Sequence, residues 1–190
     1  MDIKIINLGK EKFAKIGSHL VYIQNEELVS EQVTECFSNE AYFFESKKIC
    51  PLIVDIGSEQ GISVLYFKHL YPKSKIVCFG VDERNELLFQ RNLRANNIKD
   101  VHLIMGGPQE IASKIGNFFG NPIDFLKINL PGHELSLLNS LGKKIKNLNE
   151  MVCRVEETAV SELKKYLSPG FVVNITDQCN GYYLVRAKRK

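Results

Sequence analysis

The sequence predicts an α/β fold: a mostly parallel sheet with helices on both faces and an antiparallel hairpin closing one edge. Three observations predict it. From Pro51 onward, short apolar runs alternate with amphipathic segments, the pattern of strand–helix–strand units whose sheet must be covered on both sides. The first unit, Pro51-Leu52-Ile53-Val54-Asp55-Ile56-Gly57-Ser58-Glu59-Gln60-Gly61, passes from an apolar strand through a glycine-bearing turn into a helix, the order that opens a nucleotide-binding α/β domain. The chain then finishes with two strand-like runs, 171–176 and 182–187, joined by Asp177-Gln178-Cys179-Asn180-Gly181, where Asn-Gly signals a hairpin turn.

Composition sets the limits. A chain of 190 residues is most simply one domain with a sizeable core. Its apolar fraction of 44% and charged fraction of 25% are those of an ordinary soluble protein. No apolar run reaches membrane-spanning length, and Met1-Asp2-Ile3-Lys4 lacks a signal-peptide pattern; a cytoplasmic protein is expected. Cys36, Cys50, Cys78, Cys153 and Cys179 are scattered without a C-x-x-C pair, which reads as buried free thiols in a reducing compartment. The net charge of +3 is too small to argue for nucleic acid. The basic end Arg186-Ala187-Lys188-Arg189-Lys190 reads as a solvated tail.

Residues 1–50 form an extension expected to lie against the core, which spans 51–190. Short strands are expected at 3–8 and 19–23. A capping pattern at Ser30-Glu31-Gln32-Val33 predicts a helix over 33–44. Phe37, Tyr42, Phe43 and Phe44 read either as an apolar face on the sheet or as a ligand lid. Beyond Pro51 the expected strands are 52–56, 75–81, 101–105, 123–130 and 151–155. The expected helices are 62–71, stopped near Pro72, then 83–96, 109–119, 134–141 and 161–167. Asn96-Asn97 is a helix-end signal. The sequence shows no internal repeat and no low-complexity segment.

In such sheets ligands bind beyond the carboxyl ends of the strands, where the strand order reverses. The first strand brings Asp55, Gly57 and Gly61 there, and Asp55 can orient the turn or meet a cationic ligand group. The second ends in Asp82, an acid able to accept from both hydroxyls of a ribose and also to cap the next helix. The third ends in Met105-Gly106-Gly107, with no side chain suited to reading a base, so adenine contacts there would be backbone or apolar, with these three as candidates. The fourth, Asp124-Phe125-Leu126-Lys127-Ile128-Asn129-Leu130-Pro131-Gly132, buries a lysine, which is costly unless its head meets a carboxylate or the strand end. Lys127 and Asn129 share a face and read either as a substrate-facing pair or as structural residues. His133 and Glu134 follow at a helix start, where an acid is favoured in any case. Glu156 and Glu157 follow the fifth strand. No metal-ligand cluster, catalytic triad or P-loop is present.

These residues resemble the FkbM-type methyltransferases, within the class I enzymes that use S-adenosylmethionine (SAM). The segment 54–61 resembles that family's D-x-G-A-N-x-G loop. Leu88, Asn92, Leu93 and Asn96 resemble its L-x-x-N-x-x-x-N helix, and 123–138 resembles I-D-F-L-K-I-D-V-E-G-x-E-x-x-V-L. The likeness covers roughly residue 33 to the end. It implies a Rossmann-like fold with a mostly parallel seven-stranded sheet and a C-terminal antiparallel hairpin. It also implies SAM as cofactor and methyl transfer to a hydroxyl of a small molecule or glycan. By this resemblance Asp55, Gly57, Gly61 and Asp82 hold the cofactor, with Ser58, Glu59 and Gly107 completing the candidate set. Lys127, Asn129 and Glu156 are the candidate catalytic residues.

The sequence departs from the family at four places. Glu59 replaces the loop asparagine, Gly80-Val81 replaces Glu-Pro, and Asn129 and Pro131 stand where the family has Asp and Glu. The lost carboxylates motivate an alternative of a different kind, a non-catalytic member that keeps the fold for binding or scaffolding. Asn129-Leu130-Pro131 also resembles the N-L-P motif of tRNA guanine methyltransferases, which keeps an RNA acceptor as a third expectation.

Overall fold

The computed structural model describes residues 3–9, 11–80, 82–115, 117, 121–178 and 181–190. Val81, Cys179, Asn180 and part of the segment expected as helix 109–119 lie outside them. The extension opens with β1 (Ile3–Leu8), β2 (Glu11–Ile16) and β3 (His19–Tyr22), an antiparallel sheet in that order. Strand β2 was not expected from its sequence, because two lysines and a glutamate mask a pattern that sends Phe13, Ala14 and Ile16 inward. The predicted helix over 33–44 is corrected. α1 spans Glu26–Val33, capped by Asn25, whose side chain accepts from the Leu28 N–H at 3.1 Å. It widens into a π-helical turn, Thr34–Ser38, which turns Glu35 and Cys36 inward. Segments of this kind are rare and concentrate at functional sites.

The main sheet holds β4 (Leu52–Ile56), β5 (Lys75–Gly80), β6 (Val101–Met105), β7 (Ile123–Ile128), β8 (Leu148–Glu156), β9 (Phe171–Gln178) and β10 (Tyr182–Arg189). Their spatial order is β6-β5-β4-β7-β8-β10-β9; the first five strands in that order are parallel, and β10 runs antiparallel to both neighbours. The expected mostly parallel sheet with a closing hairpin is what the structure has. The order reverses between β4 and β7, so the crevice available to a ligand opens there.

Two apolar cores sandwich this sheet. On the front face α1, α2 (Ile62–Leu70) and α3 (Glu83–Ala95) bury Val29, Val33, Leu65, Phe67 and Phe89; on the back, α4 (Pro108–Ile115), α5 (Glu134–Leu141) and α6 (Glu157–Leu167) bury Ile111, Leu138 and Leu163. Of the aromatic cluster, Phe44 stacks on Phe125 with centroids 4.5 Å apart and planes 13° off parallel, while Tyr42 is fully buried. Each such ring contributes about 1.5–3 kcal/mol through burial, so the apolar-face reading holds for these residues. Phe43 alone points outward at 41% exposure.

The extension is stitched to the core by two asparagines. Asn92 Oδ1 accepts from the Tyr22 N–H at 2.7 Å, and its Nδ2 donates to the carbonyls of Tyr22 and Gln60. One turn later, Asn96 does the same for Leu20. Their amides replace the neighbouring strand that β3 lacks. The basic end is also corrected. Arg186 pairs with Glu150 and donates to the carbonyls of Ala41 and Phe43, while Arg189 donates to Ile145 and Leu148. These charges satisfy backbone oxygens of the segment after α1, of the turn before β8 and of the start of β8 instead of trailing in solvent. Cys36, Cys78 and Cys153 are buried free thiols, whereas Cys50 is exposed.

Candidate functional site

The turn after β4 rests on a buried ionic clamp. Asp55 and Lys127 are register partners on adjacent parallel strands, so both side chains leave the same face. Lys127 Nζ donates to Asp55 Oδ1 at 2.8 Å and to the Gly57 carbonyl at 3.0 Å; Ser63 Oγ donates to Asp55 Oδ2 at 2.6 Å. Asp55 is 0% exposed and Lys127 3%. Burial pushes the Lys127 ammonium down, but the Asp55 carboxylate, through charge and hydrogen bond, together with Cys36 and Glu35 nearby, outweighs it and the net direction is up. Of the two readings of Lys127, its contacts are those of a residue that holds the turn. Asp55, likewise, has both oxygens engaged inside the protein.

The turn can lie so close to β7 only because of Gly57. Its φ is +77°, and a Cβ there would stand 2.0 Å from the Asn129 carbonyl oxygen. Any L side chain would be both strained and in collision. Asn129 completes the contact by donating its N–H to the Ile56 carbonyl at 3.0 Å. Glu59 also has positive φ, at +43°, and accepts from the Gln32 side chain in a short contact that ties α1 to the turn. Its charge is thus hydrogen-bonded to a neutral amide.

Beyond β4, β5 and β6, Gly57, Glu59, Gly80, Asp82, Glu86 and Met105 surround a narrow crevice with only about 20 Å³ of water-accessible space. Met105 fills it: a Cβ on Gly80 would meet the Met105 sulfur at 2.8 Å. Asp82 caps α3 by accepting from the Arg84 N–H, and the Arg84 guanidinium grips its carboxylate. The Arg84 side-chain hydrogen bond, with that backbone bond, holds the Asp82 carboxyl below its ordinary range. Gly107 is not among the residues brought to this crevice. It is exposed with open space around it, and the wall expected of it is formed by Leu103 and Met105.

A second, polar chamber lies on the other side of the turn. Glu35, Tyr42, Ser58, Lys127 and Asn129 line it, and it has room for about one water molecule, about 10 Å³. Three of its groups are not satisfied. Glu35 Oε1 and the Tyr42 hydroxyl are buried in a chamber where the two side chains lie against each other without a well-formed hydrogen bond, and Ser58 Oγ has only the Cys78 thiol beside it. Burial first, and then the Glu35 carboxylate, push the Tyr42 phenol well up. Glu35 also lines a broad cleft of about 880 Å³ between α1 with its π-helical turn and the sheet residues Val152, Arg154, Leu184 and Arg186. Sequence reasoning missed Glu35; its one signal was an acid lying among residues expected to bury an apolar helix face.

Glu156 is not brought to either place. It lines a separate hollow of about 260 Å³ with Glu134, Leu135 and Glu162. Glu134 is buried there; desolvation raises its carboxyl against the lowering effect of its own backbone N–H, and nearby Glu156 adds to the rise. Among the described residues, no group of His, Cys, Asp and Glu is arranged to hold a metal ion, and no helix is long and apolar enough to cross a membrane.

No protein-family model and no curated protein sequence matches the chain. Solved structures do. A fibrillarin/Nop5p complex aligns over 98% of this chain and 97% of that one, with a TM-score of 0.66 at 13% identity. The precorrin-6y C5,15-methyltransferase of Geobacter metallireducens aligns over 94% of both, with a TM-score of 0.61 at 14% identity. TrmK of M. capricolum, solved with S-adenosyl-homocysteine, aligns over 74% of this chain with a TM-score of 0.55 at 15% identity; the chain spans 63% of its length. The chain therefore has the Rossmann-like α/β fold of the class I SAM-dependent methyltransferases.

Proposed function

We propose that the protein is a SAM-dependent methyltransferase of the FkbM type acting on a hydroxyl of a small molecule or glycan. The observation that carries this reading is a coincidence at the point where the strand order reverses. A turn fixed by left-handed Gly57 and an acid after the next strand line one crevice there, and a cleft large enough for an acceptor opens further along the same face, over β8, β10 and β9. SAM carries positive charge on its sulfonium and ammonium groups, together with a ribose diol. The crevice fits it in chemistry: Glu59, Asp82 and Glu86 supply the opposite charge, and Asp82 offers two acceptor oxygens once released by Arg84. At about 20 Å³ the crevice is closed to a nucleoside as it stands, so binding requires Met105, an unbranched and flexible side chain, to leave Gly80 and the walls around it to open.

Bound there, SAM supplies an electrophilic methyl group. The chain's own task is alignment. The Asp55–Lys127 clamp fixes the turn, Asn129 closes it against β7, and the Glu35–Tyr42–Ser58 chamber leaves polar groups available beside it. Glu156, expected as a base, has no part in this reading because it lines another hollow. The glutamates of the large cleft favour a neutral or cationic acceptor over an RNA phosphate backbone. Calorimetric titration with S-adenosylhomocysteine tests the proposal. Binding tighter than about 100 μM, weakened at least about tenfold by Asp82→Ala, supports it; no heat at about 1 mM overturns it.

A further inference from the structure

The two outer strands of the main sheet are built differently. β6 is a short edge of five residues that carries His102 and follows the charged pair Lys99-Asp100. β9 is an edge of eight residues, with no charge and no proline from Phe171 to Thr176. Edge strands normally carry a lysine, a proline, a bulge or a covering segment, because an open row of N–H and C=O groups otherwise recruits another strand. Among the described residues no strand pairs with the outer side of β9, its register with β10 runs without a bulge, and Asn174 and Thr176 are exposed.

The phase of that register fixes which groups stay open. Lys190 donates its N–H to the Gly170 carbonyl at 3.3 Å, so the even-numbered residues of β9 bond to β10 and the odd-numbered ones turn their N–H and C=O outward. Phe171, Val173 and Ile175 form the open row. Two apolar side chains of the strand are exposed as well, Val172 at 53% and Ile175 at 37%, on opposite faces of the sheet.

This edge is complementary to itself. A two-fold axis normal to the sheet at Val173 sets Ile175 of one copy opposite Phe171 of the other on the back face, and Val172 opposite Asn174 on the front. Paired outward residues then exchange both of their backbone bonds. Like charges placed opposite one another by such an axis would oppose the pairing. Here 171–175 meets itself uncharged, and Asp177, the one charged residue of β9, falls beyond it. That match favours a second copy over an unrelated strand. It also reaches the large cleft, whose outer wall is formed by Asn174 and Thr176 at the edge of the sheet. A second β9 continues the floor past that edge.

We propose that β9 is a dimer interface, pairing antiparallel about Val173 with β9 of a second copy, so that two seven-stranded sheets become one and the floor of each large cleft is extended. The proposal is independent of the methyltransferase reading.

Sedimentation velocity of the full chain from about 5 μM to about 1 mM tests it. The mass rises from 21.6 kDa toward twice that value, with a Kd on the order of 10–100 μM, since an edge contact lies at the small end of interface areas. Ile175→Lys charges an already exposed position and weakens the dimer at least about tenfold. Val173→Pro does the same by removing an outward N–H that β10 does not use. A third readout needs no variant. The amides of Phe171, Val173 and Ile175 exchange about threefold more slowly at about 1 mM than at about 50 μM, while those of Val172 and Asn174, held by β10, do not respond to concentration. A monomer at about 1 mM, a dimer that survives either substitution, or concentration-dependent protection confined to other strands overturns the proposal. Absence of S-adenosylhomocysteine binding by an intact dimer removes the methyltransferase reading and leaves the interface standing.

Discussion

Two buried polar clusters flank the turn after β4, and they are built in opposite ways. In the clamp, both Asp55 oxygens and the Lys127 ammonium have partners at 2.6–3.0 Å. Across the turn, Glu35 Oε1, the Tyr42 hydroxyl and Ser58 Oγ are equally hidden and have no normal partner, as does Arg154 Nε further along the wall. A satisfied cluster fixes geometry, because any movement breaks bonds that the interior cannot replace. An unsatisfied one is costly to the protein alone and becomes favourable only when something else completes it. The clamp therefore fixes the architecture, and the chamber is the side of the turn where a change of side chain costs the fold least.

The largest expected effect breaks the clamp. Lys127→Met leaves Asp55 buried and unpaired and should cost about 3–5 kcal/mol in urea unfolding. Adding Asp55→Leu removes the stranded charge and should restore at least half of that. If Lys127→Met alone costs less than about 1 kcal/mol, the contrast between the clusters is wrong. Next in size is Asn92→Ala, which strips the partner from the Tyr22 N–H and from two carbonyls. A loss of about 2–3 kcal/mol is expected, with faster amide exchange at Tyr22.

The unsatisfied side should behave otherwise. Glu35→Gln should change stability by less than about 1 kcal/mol, or raise it, since a buried carboxylate without a normal partner is no asset to the fold. A loss above about 3 kcal/mol would make Glu35 a structural residue. The smallest effect concerns pH. The Lys127 ammonium is raised above its ordinary 10.5, so its stabilisation is fully present below that value and is lost as pH climbs through the higher folded one. The stability advantage of the wild type over Lys127→Met should stay level from about pH 6 to about pH 10 and shrink only above.

How legible these regions were follows from their physics. The sheet was readable because a buried parallel strand demands a largely apolar run: 76–79 is unbroken, Leu52–Ile56 is interrupted only by Asp55, and Val101–Met105 only by His102. Lys127 was conspicuous for the opposite reason, a charge inside such a run. Its partner lay 72 residues away on a strand whose register no local pattern reveals. The segments most like a known family proved to be largely structural. Asp124 accepts from the Leu52 N–H at 2.8 Å and from Lys48, Lys127 clamps the turn, and Asn92 and Asn96 bind the backbone of β3. Glu35 was hidden because the π-helical turn shifts the face that residues 34–38 present, so a regular 3.6-residue period could not point it inward. Met105 was legible only as an apolar candidate at the end of its strand, because its packing over Gly80 depends on the neighbouring strand β5.

The most direct test of the central claim is a crystal structure with S-adenosylhomocysteine. The account predicts density beside Gly57, Gly80 and Asp82, with the Asp82 carboxylate turned from Arg84 toward the ribose and the Met105 side chain swung off Gly80. Ligand density elsewhere, or none with Met105 still seated on Gly80 at saturating nucleoside, would contradict it.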